Sequence, residues 1–165
     1  MLISDDYRRL NAEKHLEKKG YGALAWHLAP AIKTICANNG FGSILDYGCG
    51  KGTLSEALTD SGLDIVGYDP AIPGKDSEPA AADLVVCIDV MEHVEPDYVE
   101  NVLKHISSLS KVAAYFVIDN GPAKADLSDG RNAHLIVKGV DWWRGRLGKF
   151  FNLGVCEHVD GFDGF

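Results

Sequence analysis

Short apolar runs alternate along this chain with longer stretches in which apolar residues recur every three or four positions. Four of the runs predict β-strands, and their adjacent apolar residues are typical of strands buried on both faces of a parallel sheet. They are SILDYG (43–48), DIVGYD (64–69), ADLVVCID (82–89) and VAAYFVID (112–119). A fifth run, NLGVCEHV (152–159), predicts the final strand.

Helical spacing occupies most of the segments between these runs. Residues 5–19, rich in Lys, Arg and Glu, predict an exposed helix or arm, and 23–38 predicts an amphipathic helix bent or restarted at Pro30. Further helices are predicted after the first strand, from Pro96 onward, and from Asp141, which we expect to cap the last helix. This alternation indicates an α/β fold with a mostly parallel, doubly wound sheet and a ligand site at the carboxyl ends of the strands.

The connection between the second and third strands is unusually short. It consists of PAIPGKDSEPAA (70–81). A crossover helix and an additional strand do not fit into so short a segment with this proline content. We therefore predict a sheet with a shortened strand set, or a sheet edge supported by a partner.

The length of 165 residues leaves room for one domain. Within residues 1–165 we predict an amino-terminal helical cap over 1–38, a cofactor-binding core over 40–120, and a substrate-side loop, helix and last strand over 121–165. Tyr7, Tyr21 and Trp26 are candidates for contacts within the cap, although the pattern gives no register for them.

The net charge of −8 excludes the classes of protein that bind nucleic acid or anionic membranes through a general surplus of Lys and Arg. Residues 131–150 are locally basic, with five basic residues against the single acid Asp141. Such a segment is most often a solvated helix face, and the alternative is that it binds an acidic substrate.

The four cysteines, at positions 36, 49, 87 and 156, show no CxxC spacing, and we interpret them as reduced thiols. The amino terminus does not resemble a secretory signal, and no apolar run approaches the roughly 20 residues of a membrane span. The expected compartment is the cytoplasm.

The sequence DYGCGKG (46–52) places alternating glycines between the first strand and the next helix. Glycine allows the backbone to approach a ligand and to adopt torsions that a Cβ atom disfavours. Asp46 offers a carboxylate to a cationic amino group, and Asp69, at the end of the second strand, can accept both hydroxyl hydrogens of a ribose. The spacing is G-x-G-x-G, whereas dinucleotide-binding proteins have G-x-G-x-x-G. Together these residues predict a nucleotide-like ligand.

Three segments, LDYGCGKG, GYDP and CIDVMEHVEP, resemble the first, second and fourth-strand motifs of class I S-adenosylmethionine (SAM)-dependent methyltransferases. The resemblance is strongest to the group of ubiquinone-pathway O-methyltransferases and covers about 40–120. It implies a Rossmann-like sheet with an antiparallel last strand, and SAM as the cofactor. The predicted cofactor-binding residues are Asp46, Tyr47, Gly48, Cys49, Gly50, Asp69, Pro70, Asp89 and Val90.

The chain departs from the pattern of that family after Asp69. Family members usually have a strand and a helix there, carrying an acid that contacts adenine, and this sequence lacks the space. We expect adenine to rest against the loop 70–79 instead, with Ile72 as the first candidate.

The catalytic candidates are Glu92, His93 and His134. A sulfonium methyl group is already activated, but a hydroxyl acceptor also needs a base, and histidine ordinarily titrates near neutral pH. His93 follows the third predicted strand at the cofactor end and is the first candidate for that base. The alternative is that Glu92 and His93 pack or cap locally.

Two further groupings involve these candidates. Asp89, Glu92 and His93 could ligate a divalent ion, but no second cluster at ligand spacing supports this, and we predict no metal site. His134, with Trp142 and Trp143, could form an aromatic substrate wall. The polar contacts of that wall would be Arg131 and Asn132, and the alternative is that the tryptophans cover the core and the sheet edge.

The leading functional prediction is a methyltransferase that uses SAM and modifies an O or N atom of a small molecule, with acidic acceptors among the options. The alternatives are a SAM-binding module without its own turnover and, with less support, a nicotinamide-dependent oxidoreductase. We predict no nucleic-acid or membrane partner, and we keep a homo-oligomer as an option.

Overall fold

The computed structural model describes residues 1–17, 24–155, 157–159 and 162–164. Six strands form one mixed sheet in the order β2-β1-β3-β4-β6-β5. Strands β1 to β4 are mutually parallel, and β6 is antiparallel to both β4 and β5. The strands are β1 (Ser43–Tyr47), β2 (Asp64–Tyr68), β3 (Ala82–Ile88), β4 (Ser110–Asp119), β5 (Glu157–Val159) and β6 (Phe162–Gly164).

In the described part of the chain, five α-helices accompany the sheet: α1 (Asp5–Glu17), α2 (Leu24–Asn39), α3 (Thr53–Ala57), α4 (Val99–Leu109) and α5 (Val140–Leu147). Two 3₁₀ turns, Met91–His93 and Pro96–Tyr98, connect β3 to α4. Helix α2 runs through Pro30 without a break.

The helices cover both faces of the sheet, as a doubly wound fold requires. One core lies under α4 and α5 and includes Leu103, Ile106 and Trp143, none of which is exposed. The other lies under α2 and α3 and includes Ile32 and Leu54. The predicted Rossmann-like α/β fold is confirmed.

The connection between β2 and β3 contains neither a helix nor a strand. Strand β3 therefore pairs directly with β1, and β2 lies at the edge of the sheet, where Val66 is 49% exposed. The predicted shortened strand set is confirmed, and its cause is the length of this one connection.

Two predicted boundaries are wrong. The final strand expected over 152–159 begins only at Glu157, and a second short strand, β6, lies between it and β4. The antiparallel orientation is confirmed. Asp141 does not cap α5, because the helix already begins at Val140 and the cap position belongs to Gly139.

Helix α1 is less exposed than its charged sequence predicts. Tyr7 and Leu10 are buried, and they form a small cluster with Leu127 and Ala133 from the loop between β4 and α5. This packing places the amino terminus over the carboxyl ends of the strands.

Among the described cysteines, Cys36, Cys49 and Cys87 are buried free thiols, as predicted, and Cys156 lies outside the described residues. No helix in the described part of the chain has the length and apolar character needed to cross a bilayer.

Candidate active site

A cavity opens at the carboxyl ends of β1, β2 and β3 and holds about 990 Å³ of empty space, including its mouth. All nine predicted cofactor-binding residues line it: Asp46, Tyr47, Gly48, Cys49, Gly50, Asp69, Pro70, Asp89 and Val90. The sequence motifs on three strands thus converge on one space.

The glycine turn after β1 passes close to both neighbouring strands. The amides of Gly48 and Cys49 donate to the carbonyl of Tyr68, at 2.7 and 3.0 Å, which ties the turn to the end of β2. Gly48 has a φ of 77°, and a Cβ atom there would lie 2.8 Å from Cγ1 of Val90 and closer still to Cγ2. The turn can therefore pack against Val90, two positions after the end of β3, only with glycine at position 48.

Asp46 is buried at the floor of the cavity, with 4% of its surface exposed. Burial raises the pKa of its carboxyl to about 7, Lys75 opposes this shift, and Asp69 adds to it. Its Oδ2 atom has no hydrogen-bond partner in the described part of the chain. A buried acceptor in this condition is costly, so it is suited to a cationic ligand group that supplies the missing partner.

Asp69 organises the end of β2. Its Oδ2 accepts the amide hydrogen of Gly50 at 3.0 Å, and its Oδ1 accepts that of Ala71 at 2.9 Å. The Nζ of Lys75 donates to the carbonyl oxygen of Gly50 at 2.8 Å. Each carboxylate oxygen has a further lone pair, so Asp69 can hold the turn and still accept from ligand hydroxyls.

The loop after Asp69 forms one wall of the cavity through Pro70 and Ala71. Ile72, our first candidate for the adenine contact, is not among the lining residues. The predicted loop 70–79 thus reaches the cavity through its first two residues and not through Ile72.

Of the three catalytic candidates, His93 alone lines the cavity. Glu92 is fully buried behind it, where its Oε1 accepts the amide hydrogen of Asp119 at 2.6 Å and its backbone carbonyl accepts that of Ile136 at 3.0 Å. Burial, and then the neighbouring Asp89, raise the pKa of the Glu92 carboxyl well above its usual range. Glu92 thus joins the turn after β3 to β4 and to the following loop.

His134 is buried and packs edge-to-face against His93, with ring centroids 4.7 Å apart. The Nδ1 of His93 lies 2.8 Å from the carbonyl oxygen of Ala133, and the Nδ1 of His134 lies 2.7 Å from that of Gly121. Because a carbonyl only accepts, each Nδ1 carries a proton. In the neutral rings the lone pair is therefore on Nε2.

The predicted aromatic wall is wrong for the two tryptophans. Trp143 is fully buried in the core, and the ring of Trp142 lies under the Arg146 guanidinium, 4.7 Å from its centroid. Asn132 instead braces its own loop through both backbone groups of Ala123, at 2.9 Å each. Trp143 lies in the core, and Trp142 packs against it, because α5 contacts the sheet away from the cavity.

Most of the basic residues in 131–150 are paired with acids. Arg131 pairs with Asp129, Arg144 with Asp141, and both Arg146 and Lys149 with Glu100. The interpretation as a solvated face is therefore favoured over a grip on an acidic substrate.

The amino-terminal segment supplies a wall that the sequence pattern did not place. Leu2, Ile3 and Tyr7 line the cavity, and the Tyr7 hydroxyl donates to the carbonyl oxygen of His93. Arg8 donates to the Pro70 carbonyl oxygen at 2.6 Å. In the sequence, Tyr7 was the one candidate that pointed to this wall, within a helix predicted to be exposed. Of the other cap candidates, Tyr21 lies outside the described residues and Trp26 is 47% exposed.

Strand order, glycine turn and cavity together define a class I SAM-dependent methyltransferase fold. The family model of the methyltransferase domain matches residues 14–153. The chain therefore belongs to the methyltransferase domain family, whose cofactor is SAM. The buried Asp46 oxygen without a hydrogen-bond partner fits the amino group of that cofactor.

Several solved structures share this fold. The 1,6-didemethyltoxoflavin-N1-methyltransferase of Burkholderia thailandensis is 16% identical with a TM-score of 0.70, over 99% of this chain and 89% of that one. The DhpI–SAM–HEP complex is 19% identical with a TM-score of 0.63, over 96% and 92%. An O-methyltransferase family protein from Burkholderia thailandensis is 12% identical with a TM-score of 0.57, over 86% of this chain, which spans only 55% of that protein. No curated protein matches the chain by sequence.

Proposed function

We propose that this chain transfers the methyl group of SAM to an oxygen or nitrogen atom of a small molecule. The observation that carries the proposal is that Asp46, whose buried Oδ2 has no hydrogen-bond partner in the described part of the chain, and His93 line the same cavity. The first suits the amino group of the cofactor, and the second suits the proton of an acceptor.

The cofactor would be held along the ends of three strands. Asp46 would receive its amino group, Asp69 its ribose hydroxyls, and Pro70 with Ala71 its adenine ring. Gly48 allows the turn to pack directly against Val90 at the edge of the cavity. These assignments use only residues that line the cavity.

When bound, SAM supplies a methyl group activated by its sulfonium, so that the acceptor atom displaces the sulfur. His93 would accept the proton that the acceptor loses, because its Nδ1 proton is held by Ala133 and its lone pair is on Nε2. Glu92 would act as a positioning residue, since it fixes the turn that carries His93.

The acceptor would be a small molecule with an apolar body. Leu2, Ile3 and Val94 border the cavity near His93, and the basic segment 131–150 is largely engaged in ion pairs. With a net charge of −8, we propose no nucleic-acid or membrane partner and a cytoplasmic location.

Calorimetric titration and product detection test the function together. We expect SAM and S-adenosylhomocysteine to bind and NADH not to bind. Release of S-adenosylhomocysteine in the presence of hydroxyl or amine acceptors supports the enzyme, whereas binding without release with any acceptor supports the module without turnover.

The affinity for SAM should depend on pH through Asp46. Its carboxyl has a pKa of about 7, so below that pH binding of the cofactor ammonium must first expel a proton. Affinity should fall by about tenfold per pH unit below 7 and again above about 8, where a free amino group loses its charge.

Calorimetry across this range checks the prediction. Asp46→Asn should remove the acid limb, while Asp83→Asn, which changes an acid outside the cavity, should keep it. An acid limb that survives in Asp46→Asn would contradict the assignment.

Replacing His93 by glutamine should slow turnover by roughly 100-fold or more while the Kd for SAM stays within about twofold. Glutamine is a polar side chain of similar length that provides no base of suitable pKa. Single-turnover rates against pH, with His27→Gln as the exposed histidine control, measure the effect. Unchanged turnover would mean that His93 has a structural role and is not the base.

A further inference from the structure

Three side chains that could ligate a metal ion meet at the inner edge of the cavity. One donor atom from each of Asp89, His93 and His134 lies within 4.8 Å of the other two. They come from the end of β3, the 3₁₀ turn Met91–His93, and the loop after β4. Residues 45 positions apart in the chain are thus brought together by the fold.

Both histidines are already oriented as metal-binding histidines are. Each donates its Nδ1 hydrogen to a backbone carbonyl, of Ala133 and of Gly121, at 2.8 and 2.7 Å. Metal-bound imidazoles usually use one nitrogen for such a contact and the other for the ion. In that tautomer the lone pair of each neutral ring lies on Nε2.

Asp89 is held as firmly as the histidines. It is the only described residue other than glycine with a positive φ, 58°, a conformation with a cost that the surrounding structure must offset. Its amide donates to the carbonyl oxygen of Val117 at 2.9 Å, which ties it to the neighbouring strand β4.

We propose that Asp89, His93 and His134 bind one divalent transition-metal ion, with Zn²⁺ as the best match. Two imidazoles and one carboxylate suit zinc, whereas magnesium prefers oxygen donors. The three donors would approach one another on binding, because zinc–ligand bonds are about 2.0–2.2 Å long. The set differs from the one considered from the sequence: His134 takes the place of Glu92, whose oxygen is turned to the backbone.

Such an ion would lie beside the space that the acceptor uses, since Asp89 and His93 also line the cavity. Three protein donors leave a coordination position for an outside oxygen. With the ion bound, Nε2 of His93 would be a metal ligand and could not also act as the base. The ion would instead lower the pKa of an acceptor hydroxyl bound to it, and the proton would pass to water. This consequence rests on the proposed function, whereas ion binding itself does not.

The test is metal binding by untagged protein that has been stripped with a chelator and dialysed. Calorimetry with Zn²⁺ and visible absorption spectra with Co²⁺ should show saturable binding of one ion per chain. His134→Gln and Asp89→Asn should each weaken Zn²⁺ binding by about 100-fold or more. His27→Gln, which alters an exposed histidine of α2, should bind as the unmodified protein does.

His134 is outside the set of residues that line the cavity, so SAM titration and thermal unfolding of His134→Gln check that the fold is kept. Should that variant unfold, His93→Gln provides the same comparison. Absence of saturable binding, or binding unchanged in these variants, overturns the metal site. Ion binding without any methyl transfer would instead contradict the proposed function alone.

Discussion

Replacing Gly48 with alanine should abolish SAM binding, with a loss in affinity of at least roughly 100-fold, or about 2.7 kcal/mol. The new Cβ atom would lie 2.8 Å from Cγ1 of Val90 and closer to Cγ2, where no relaxed contact is found. Either the turn moves away from the end of β3 or Val90 is pushed aside, and both displace groups that line the cavity. Calorimetric titration with SAM measures the loss.

Gly62 provides the matched control because it has the same φ of 77° and no atom within 4 Å of an added Cβ. Gly62→Ala should lower the free energy of unfolding by about 1–2 kcal/mol, from backbone strain alone, and leave the Kd for SAM unchanged. Adding Val90→Ala to Gly48→Ala removes both Cγ atoms and should restore part of the affinity. If Gly48→Ala binds SAM normally, the cofactor does not use this turn.

Removing the carboxylate of Asp69 should weaken SAM binding by roughly 100-fold or more in Asp69→Ala. Two contributions add: the ribose hydroxyls lose their acceptor, and the amides of Gly50 and Ala71 lose the partner that holds them at 3.0 and 2.9 Å. Asp69→Asn, which keeps one carbonyl oxygen, should lose less.

Asp83 is the control for the structural part of this effect. Its Oδ2 accepts the amide hydrogens of Gly42 and Ser43 at 2.9 and 3.1 Å, at the opposite end of β1. Asp83→Ala should reduce the melting temperature while the affinity for SAM is retained. Equal losses of affinity in Asp69→Ala and Asp83→Ala would mean that Asp69 acts only through stability.

The parallel part of the sheet was predictable because its strands are buried on both faces and the glycine turn punctuates them. The short segment 70–81 also predicted the reduced strand set, because it has too few residues to contain a helix and a further strand. The carboxyl-terminal hairpin was not predictable in the same way. Its strands have three residues each, too few for a periodic signal, and which of them pairs with β4 depends on tertiary contacts.

The cavity-lining residues at the strand ends were predictable because consecutive chain segments carry them. The amino-terminal wall and the pairing of His134 with His93 were not, because they join distant segments only through packing. Tyr7 reaches the His93 carbonyl across 86 positions of chain, and His134 meets His93 through a loop with no regular structure. Glu92 shows the converse: a charged residue beside a motif suggested chemistry, yet it is fully buried against a backbone amide.

Helix α1 and Ser4, which immediately precedes it, connect two sides of the cavity. Arg8 donates to the carbonyl oxygen of Pro70 at 2.6 Å, and Ser4 donates to the carboxylate of Glu95 at 2.7 and 2.8 Å. Ligand exchange is therefore expected to involve transient release of this helix, so that residence time depends on how often these bonds open. Under the proposed function, affinity is expected to depend instead on Asp46, Gly48 and Asp69, which line the cavity. Residence time and affinity are then expected to be set by different parts of the chain.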